Sequence, residues 1–177
     1  MARILIVLVE NYTKKYLCME NKIYLQTKKI IMSDIKFRVK AKSENATKTV
    51  VKARNFQIII DEPADLGGAD AGPNPVEYIL AAFSGCLNVM AHVVAKEMNF
   101  ELRGVEIDLS GNLNPARLFG TSYDERAGYK EIVVRIKPDC DADIDTLNKW
   151  VEAIENRCPV SDNLQHPTPV KIEIKKK

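Results

Sequence analysis

Residues 74–98 read NPVEYILAAFSGCLNVMAHVVAKEM, and this stretch decides the fold. Asn74 suits a helix cap, and Pro75 stands at a first helical position, where a missing N–H costs nothing. From Val76 to Met98 apolar residues fall nearly all round a 3.6-residue turn, so the predicted helix is central and buried. Its longest apolar stretch, Ile79 to Ala95, is interrupted by Ser84, Gly85, Asn88 and His92. It is shorter than the roughly 20 residues that span a bilayer, so a core helix is expected and not a membrane crossing.

On the N-terminal side, residues 62–74 (EPADLGGADAGPN) hold three glycines and two prolines and read as a loop. Before it, IKFRVKAK at 35–42 alternates apolar and charged residues as a half-buried strand does. Residues 43–48 read as a turn, and TVV followed by NFQIIID supplies two more strands. On the C-terminal side, VEIDLS at 105–110 is another alternating strand, 111–128 is connection, and EIVVRI at 131–136 is a strand ended by Pro138. Ile144, Leu147, Trp150, Val151 and Ile154 recur at helical spacing. Cys158-Pro159 ends that amphipathic helix and starts a short turn through Leu164, and VKIEIK at 170–175 closes as a strand. Three strands, a helix, two strands, two helices and a strand make an α+β domain with a largely antiparallel sheet.

The chain has 177 residues, 46% apolar and 28% charged, with a net charge of +2. That composition suits one globular domain and gives no electrostatic case for nucleic acid or an anionic membrane. Residues 1–31 differ from the rest: rich in Lys, Tyr and Asn, they lack any sustained period. They read as an N-terminal extension or the product of an upstream start, with residues 32–177 as the domain. The apolar run Ile4 to Val9 is too short for a signal-peptide core, and the location expected is cytoplasmic.

The four cysteines, Cys18, Cys86, Cys140 and Cys158, form no C-x-x-C pair, which excludes a zinc cluster or thioredoxin-like motif; with only His92 and His166 besides, no metal is expected. By residue type alone Cys86 is a core cysteine. Cys158 reads as a partly exposed helix-end thiol, although free N–H groups at the start of the next turn favour a thiolate there. Cys140, between Asp139 and Asp141, is expected to be inert, and Cys18 lies in the extension. His92, six positions past Cys86, is expected to be a core histidine, and His166 belongs to a Gln-His-Pro loop.

NPVEYILAAFSGC at 74–86, RCPVSDNL at 157–164 and PADLGG at 63–68 resemble the OsmC/Ohr family of thiol peroxidases, as does the element order. NPARLFG at 114–120 and ERAGYKEI at 125–132 are similar to its OsmC-like branch, so the resemblance covers about residues 34–175. It implies an intertwined homodimer with a β3-α-β2-α2-β subunit and active sites at the subunit interface. It also implies a two-cysteine cycle, in which Cys86 takes oxygen from a peroxide and Cys158 resolves the sulfenic acid as a disulfide. A small dithiol such as dihydrolipoamide would restore the thiols. No bound cofactor is required. The greasy helix around Cys86 suits an organic hydroperoxide and leaves hydrogen peroxide open.

Two positions depart from the family pattern. Glu usually stands ten residues before the reactive cysteine, where this chain has Val76; Glu77 follows, nine before Cys86. Nine steps of about 100° put Glu77 and Cys86 on opposite faces of a straight helix. They meet only if the helix bends near Gly85 or a second subunit supplies Glu77; otherwise Glu77 is a first-turn acid. The thiolate-stabilising arginine of the Ohr branch aligns near Asn45. Arg54 is the preferred substitute, with Arg38, Lys42, Lys48, Arg117 and Arg126 as other cations. Weak activation leaves two rivals: a non-enzymatic binder of a small hydrophobic molecule at the dimer interface, or a redox sensor.

Overall fold

The computed structural model describes residues 33–176. Cys18 and the expected boundary near residue 31 lie outside them. The described residues separate into two compact units: those up to Lys40 with Lys52–Phe56, and Ala41–Val51 with those from Gln57 onward. In chain order the elements are β1 (Lys40–Ser43), β2 (Thr49–Ala53), β3 (Phe56–Ile60), a 3₁₀ turn (Ala64–Leu66), α1 (Pro75–Glu97), β4 (Gly104–Asn112), β5 (Glu131–Asp139), α2 (Ile144–Arg157) and α3 (Pro159–Gln165). The strands form two sheets, β1-β2-β3 and β4-β5, where the sequence suggested a single one.

Side-chain caps shape the first hairpin. Asn45 Oδ1 accepts from the Thr47 and Lys48 amides at 2.9 and 2.6 Å, closing the β1–β2 connection as an Asx turn. The two-residue β2–β3 turn begins at Arg54, whose φ of 57° is the left-handed value such turns demand.

After β3 the chain enters a loop organised by one buried carboxylate. Asp61 Oδ1 accepts from the Glu62 amide at 2.9 Å, and Oδ2 from Ala69 and Ala71 at 3.1 and 3.2 Å. Gly68 runs so close to the Glu62 carbonyl that a Cβ would lie 1.7 Å from its oxygen. Tyr78 of α1 donates its hydroxyl to the Ile59 carbonyl at 2.7 Å and ties the helix to β3.

α1 starts where the sequence predicted, with a reciprocal capping box. Asn74 Oδ1 accepts from the Glu77 amide at 2.9 Å, and Glu77 Oε2 accepts from the Asn74 amide at 2.8 Å. Phe83, Leu87, Ala91, Val94 and Ala95 are buried. The helix passes the length and hydropathy of a membrane span, but in this fold that face carries the core. Its expected burial all round is corrected: Ala82, Gly85, Val89, His92 and Val93 are exposed on the opposite face. His92 is thus no core histidine; its Nδ1 sits 3.0 Å from the Asn88 carbonyl oxygen.

β4 and β5 pair antiparallel from Gly104↔Asp139 to Asn112↔Glu131. Both are edge strands, so Pro138 is tolerated inside β5 where the sequence suggested a stop. Their half-buried residues, Ile107 and Leu109 with Ile132, Val134 and Ile136, pack on the core that α1 and α2 build. α2 is capped by Asp143, which accepts from the Thr146 amide at 2.8 Å. It buries Trp150 and Ile154, while Ile144 and Val151 of the expected apolar stripe are exposed. Trp150 Nε1 donates to the Ala91 carbonyl at 2.9 Å, linking α2 to α1, and Phe100 meets its ring edge-on.

Two expected strands differ. Of IKFRVKAK only Lys40 to Lys42 join β1, and residues 170–175 form no strand. A strand needs a neighbouring edge for its amides, and among the described residues none pairs with either segment. Their apolar residues stand in solvent, Phe37 at 88% and Ile174 at 95% of full exposure.

Candidate active site

Two elements carry Cys86 and Cys158, 72 positions apart, into contact, with Sγ atoms 2.8 Å apart. Pro159 is the reason Cys158 points there. Lacking an amide hydrogen, it ends α2 and starts α3, so Cys158 is at once the last cap of one helix and the first cap of the next. Its amide still donates to the Ile154 carbonyl at 3.0 Å, and its sulfur accepts from the Ser161 amide at 3.4 Å. Cys158 is 1% exposed, correcting the partly exposed thiol expected from its position. Cys86 is half-buried, at the border between the packed and the open face of α1.

Burial pushes the Cys86 thiol above its ordinary value, and the hydrogen bond with Cys158 adds to that. The Val160 amide, in the first turn of α3, pulls the other way. No cation is among the groups that shift it.

The other predicted residues are placed as follows. Glu77 closes the capping box nine residues ahead of Cys86, about 13 Å along the axis, and α1 runs without interruption through Gly85. Its charge also helps raise the Tyr129 hydroxyl, after burial, and that hydroxyl donates to the Val76 carbonyl. Arg54 belongs to the first unit, where its guanidinium lies 5.0 Å over the Phe56 ring. Lys48 pairs with Glu44 at 2.9 Å. Arg117 braces the 113–125 connection, donating to the Glu125 carbonyl at 3.1 Å and lying over the Tyr123 ring. His166 pairs with Asp162 at 3.1 Å.

Cys140 keeps its acidic neighbours, but Arg103 clamps both: Nε donates to Asp139 at 2.9 Å and Nη1 to Asp141 at 2.8 Å. Asp141 is held below the usual carboxylate range by that guanidinium. Sequence reasoning missed this clamp, because its partners lie 36 and 38 positions apart. It also missed Ser161, a buried serine whose Oγ accepts from Gln165 Nε2 at 2.8 Å beside Cys158. Among the described residues no three His, Cys, Asp or Glu converge on a metal position.

Beside the thiols runs a groove of about 700 Å³. Val76, Ile79, Phe83 and Leu87 of α1 form one wall and Ile132, Val134 and Ile136 of β5 another. Leu87 neighbours Cys86 in sequence, and Ser161 of the lining bonds Cys158, while neither cysteine lines the groove itself.

The OsmC-like protein family model matches residues 67–173, more than half of the chain and both cysteine motifs. The chain belongs to the OsmC-like family. Solved structures share its fold. An OsmC-like protein of Mycoplasma pneumoniae is 18% identical with a TM-score of 0.66, covering 76% of this chain and 91% of its own. An organic hydroperoxide resistance protein of Elizabethkingia anophelis is also 18% identical, at a TM-score of 0.60 over 77% and 93%. One from Legionella pneumophila, described as an organic hydroperoxide resistance protein OsmC, is 17% identical at 0.58 over 75% and 91%. No curated protein matches the sequence. The α+β architecture with its central helix is therefore that of the OsmC-like proteins, and the two thiols are this chain's most evident chemistry.

Proposed function

We propose that this OsmC-like chain is a thiol-dependent peroxidase of oxidative stress defence, acting on organic hydroperoxides in the cytoplasm as a homodimer. The observation that carries the reading is the sulfur pair: 2.8 Å apart, one partly accessible and the other buried behind it. A peroxide approaching from solvent meets Cys86 first. Its thiolate attacks the distal oxygen; the S–O bond forms as the O–O bond breaks, and the leaving alkoxide takes a proton to become an alcohol. Cys158 then attacks the sulfenic sulfur of Cys86, and hydroxide leaves as water. The resulting disulfide halts oxidation before the irreversible sulfinic stage. A small external dithiol such as dihydrolipoamide restores both thiols by exchange.

The dimer is supported by what the single chain leaves bare: the exposed face of α1 and the apolar residues of segments 35–39 and 170–174. A second copy covering them would also bring charged residues to the open side of Cys86, Glu77 and Arg54 among those expected to serve there.

The test is consumption of cumene hydroperoxide with dihydrolipoamide, comparing the unaltered chain with Cys86→Ser and Cys158→Ser. The first variant is expected to be inactive. The second should turn over poorly and accumulate over-oxidised Cys86. Activity that survives loss of Cys86, or a disulfide mapped to Cys140, would sink the mechanism. A second reading, a non-catalytic carrier of a small apolar molecule, is favoured by the groove and by the raised Cys86 thiol.

A further inference from the structure

We infer that Arg157 is a positioning residue for Cys158: its ion pair with Glu97 ties the corner that carries one thiol to the helix that carries the other. This rests on the thiol pair but not on peroxide chemistry, so the peroxidase assay can fail while it stands. Two sulfurs bond only if they are aligned, and a misplacement of about 1 Å can cost a bond-forming step about a hundred-fold. Cys86 is fixed within α1, whereas Cys158 sits at the corner where α2 stops and α3 begins. Pro159 has no amide hydrogen, so the backbone ladder lacks a rung at that corner. Gln165 Nε2 donates to Ser161 Oγ at 2.8 Å and to Glu155 Oε1 at 3.4 Å, bracing α3 against the end of α2. Where Cys158 stands relative to Cys86 therefore depends on how the braced corner is tied to α1.

Apolar packing of Trp150 and Ile154 sets the approach of α2 to α1. Trp150 Nε1 adds its bond to the Ala91 carbonyl, but Trp150 lies eight residues before Cys158, about 12 Å back along α2. Arg157 immediately precedes the thiol. Its Nη2 donates to Glu97 Oε1 at 3.1 Å and its Nη1 to Oε2, a two-point grip that fixes orientation as well as distance. Glu97 ends α1, eleven residues beyond Cys86 on the same helix. The ion pair and a Cys86–Cys158 disulfide draw the same two elements together, so each favours the other. Both side chains are about half in water, at 43% and 54% exposure, so the coupling is modest and screened by salt.

The experiment is equilibration of the full chain with oxidised and reduced dithiothreitol, with the Cys86–Cys158 disulfide fraction read by alkylation and mass. In that exchange the Cys86 thiolate attacks the cyclic disulfide, and Cys158 then displaces the bound reagent. The protein is oxidised as dithiothreitol is reduced, and the two thiol protons pass to the departing reagent. Arg157→Gln is expected to lower the equilibrium constant about five-fold, the upper end for a solvent-exposed pair. The exchanged pair Glu97→Arg/Arg157→Glu should restore it. Arg135→Gln, which removes the exposed ion pair with Asp108 between β4 and β5, should leave it unchanged. Salt at about 1 M should bring the unaltered chain down to the Arg157→Gln value. An equilibrium constant unchanged in Arg157→Gln, or a loss that the exchanged pair does not restore, would overturn the assignment. If circular dichroism shows Arg157→Gln to be unfolded, the salt series on the unaltered chain decides, and a constant that salt does not lower overturns it.

Discussion

Asp61 carries a charge out of water and keeps it by accepting three backbone amides. Burial pushes its carboxyl up, but the Ala71 amide, the Thr47 hydroxyl and the Glu62 and Ala69 amides outweigh that and hold it below the usual range. With a folded value below the unfolded one of about 3.9, its contribution is complete above that pH and is lost as pH falls through the folded value. Asp61→Asn has one acceptor oxygen to offer two clusters of donors. It should melt several degrees lower than the unaltered chain at neutral pH, and its melting temperature should fall less steeply between about pH 5 and about pH 2. Melting curves across that range check both. An unchanged acid limb would show that Asp61 is protonated or released in the native chain. Cys86 poses the opposite sign. A thiol raised above about 8.5 is mostly protonated at neutral pH, so the second-order rate with peroxide should climb about ten-fold per unit until the thiol ionises. A plateau already at neutral pH in stopped-flow measurements would mean that a cation from a second copy acts on it. At this scale the sequence named the two sulfurs but not their setting. Cys158 could be placed at a helix end, yet its burial depends on α1, which lies 61 to 83 positions upstream. Asp61 and Arg103 were illegible for the same reason: their partners are loop amides and acids whose convergence no local period records.

Helix α1 draws its start from two side chains that satisfy each other's amides, so Asn74→Ala should cost about 1 kcal/mol of stability. Chemical denaturation gives the value. The same box separates two roles for Glu77. Glutamine at the third helical position still closes the box. Glu77→Gln should therefore keep the melting temperature within a degree or two while the charge is lost. A fall in the peroxidase rate at preserved stability assigns Glu77 to the chemistry of a thiol site; an unchanged rate leaves it a cap. Elements with their own local signals were legible before the structure: the Asn-Pro start, the period of Ile144 to Ile154, the Pro159 break and the alternation of β4 and β5. Two kinds of element were not. The 3₁₀ turn at Ala64–Leu66 sits where Gly and Pro density hides any period. Segments 35–39 and 170–174 have strong strand alternation, and their failure to pair here reflects a missing edge and not a weak pattern.

Those bare segments and the open face of α1 argue for a molecule larger than one chain. Ala82, Gly85, Val89, His92 and Val93 fall within about 120° of helix surface, opposite the buried Phe83–Leu87–Val94 face. Nothing lies within 4 Å of a Cβ built on Gly85, so the groove between Ala82 and Val89 is open to another backbone. A monomer rarely keeps so much contiguous apolar surface in water, and small residues at this spacing let two helices approach closely. Charge placed there tests the idea without touching the core. Val89 is 59% exposed in the single chain, so Val89→Lys should cost a monomer almost nothing. In a dimer packed through this face it buries an unpaired ammonium at the interface, a penalty of several kcal/mol. Sedimentation velocity should therefore show a dimer for the unaltered chain and a monomer for Val89→Lys. A dimer that persists in Val89→Lys would move the contact to the strand segments 35–39 and 170–174. The thiol pair makes the result informative about chemistry too. If a second copy supplies the charge that activates Cys86, the monomeric variant should lose peroxidase rate while still forming the Cys86–Cys158 disulfide with excess oxidant. If each chain activates its own thiol, rate and assembly will separate, and Val89→Lys will turn over as a monomer.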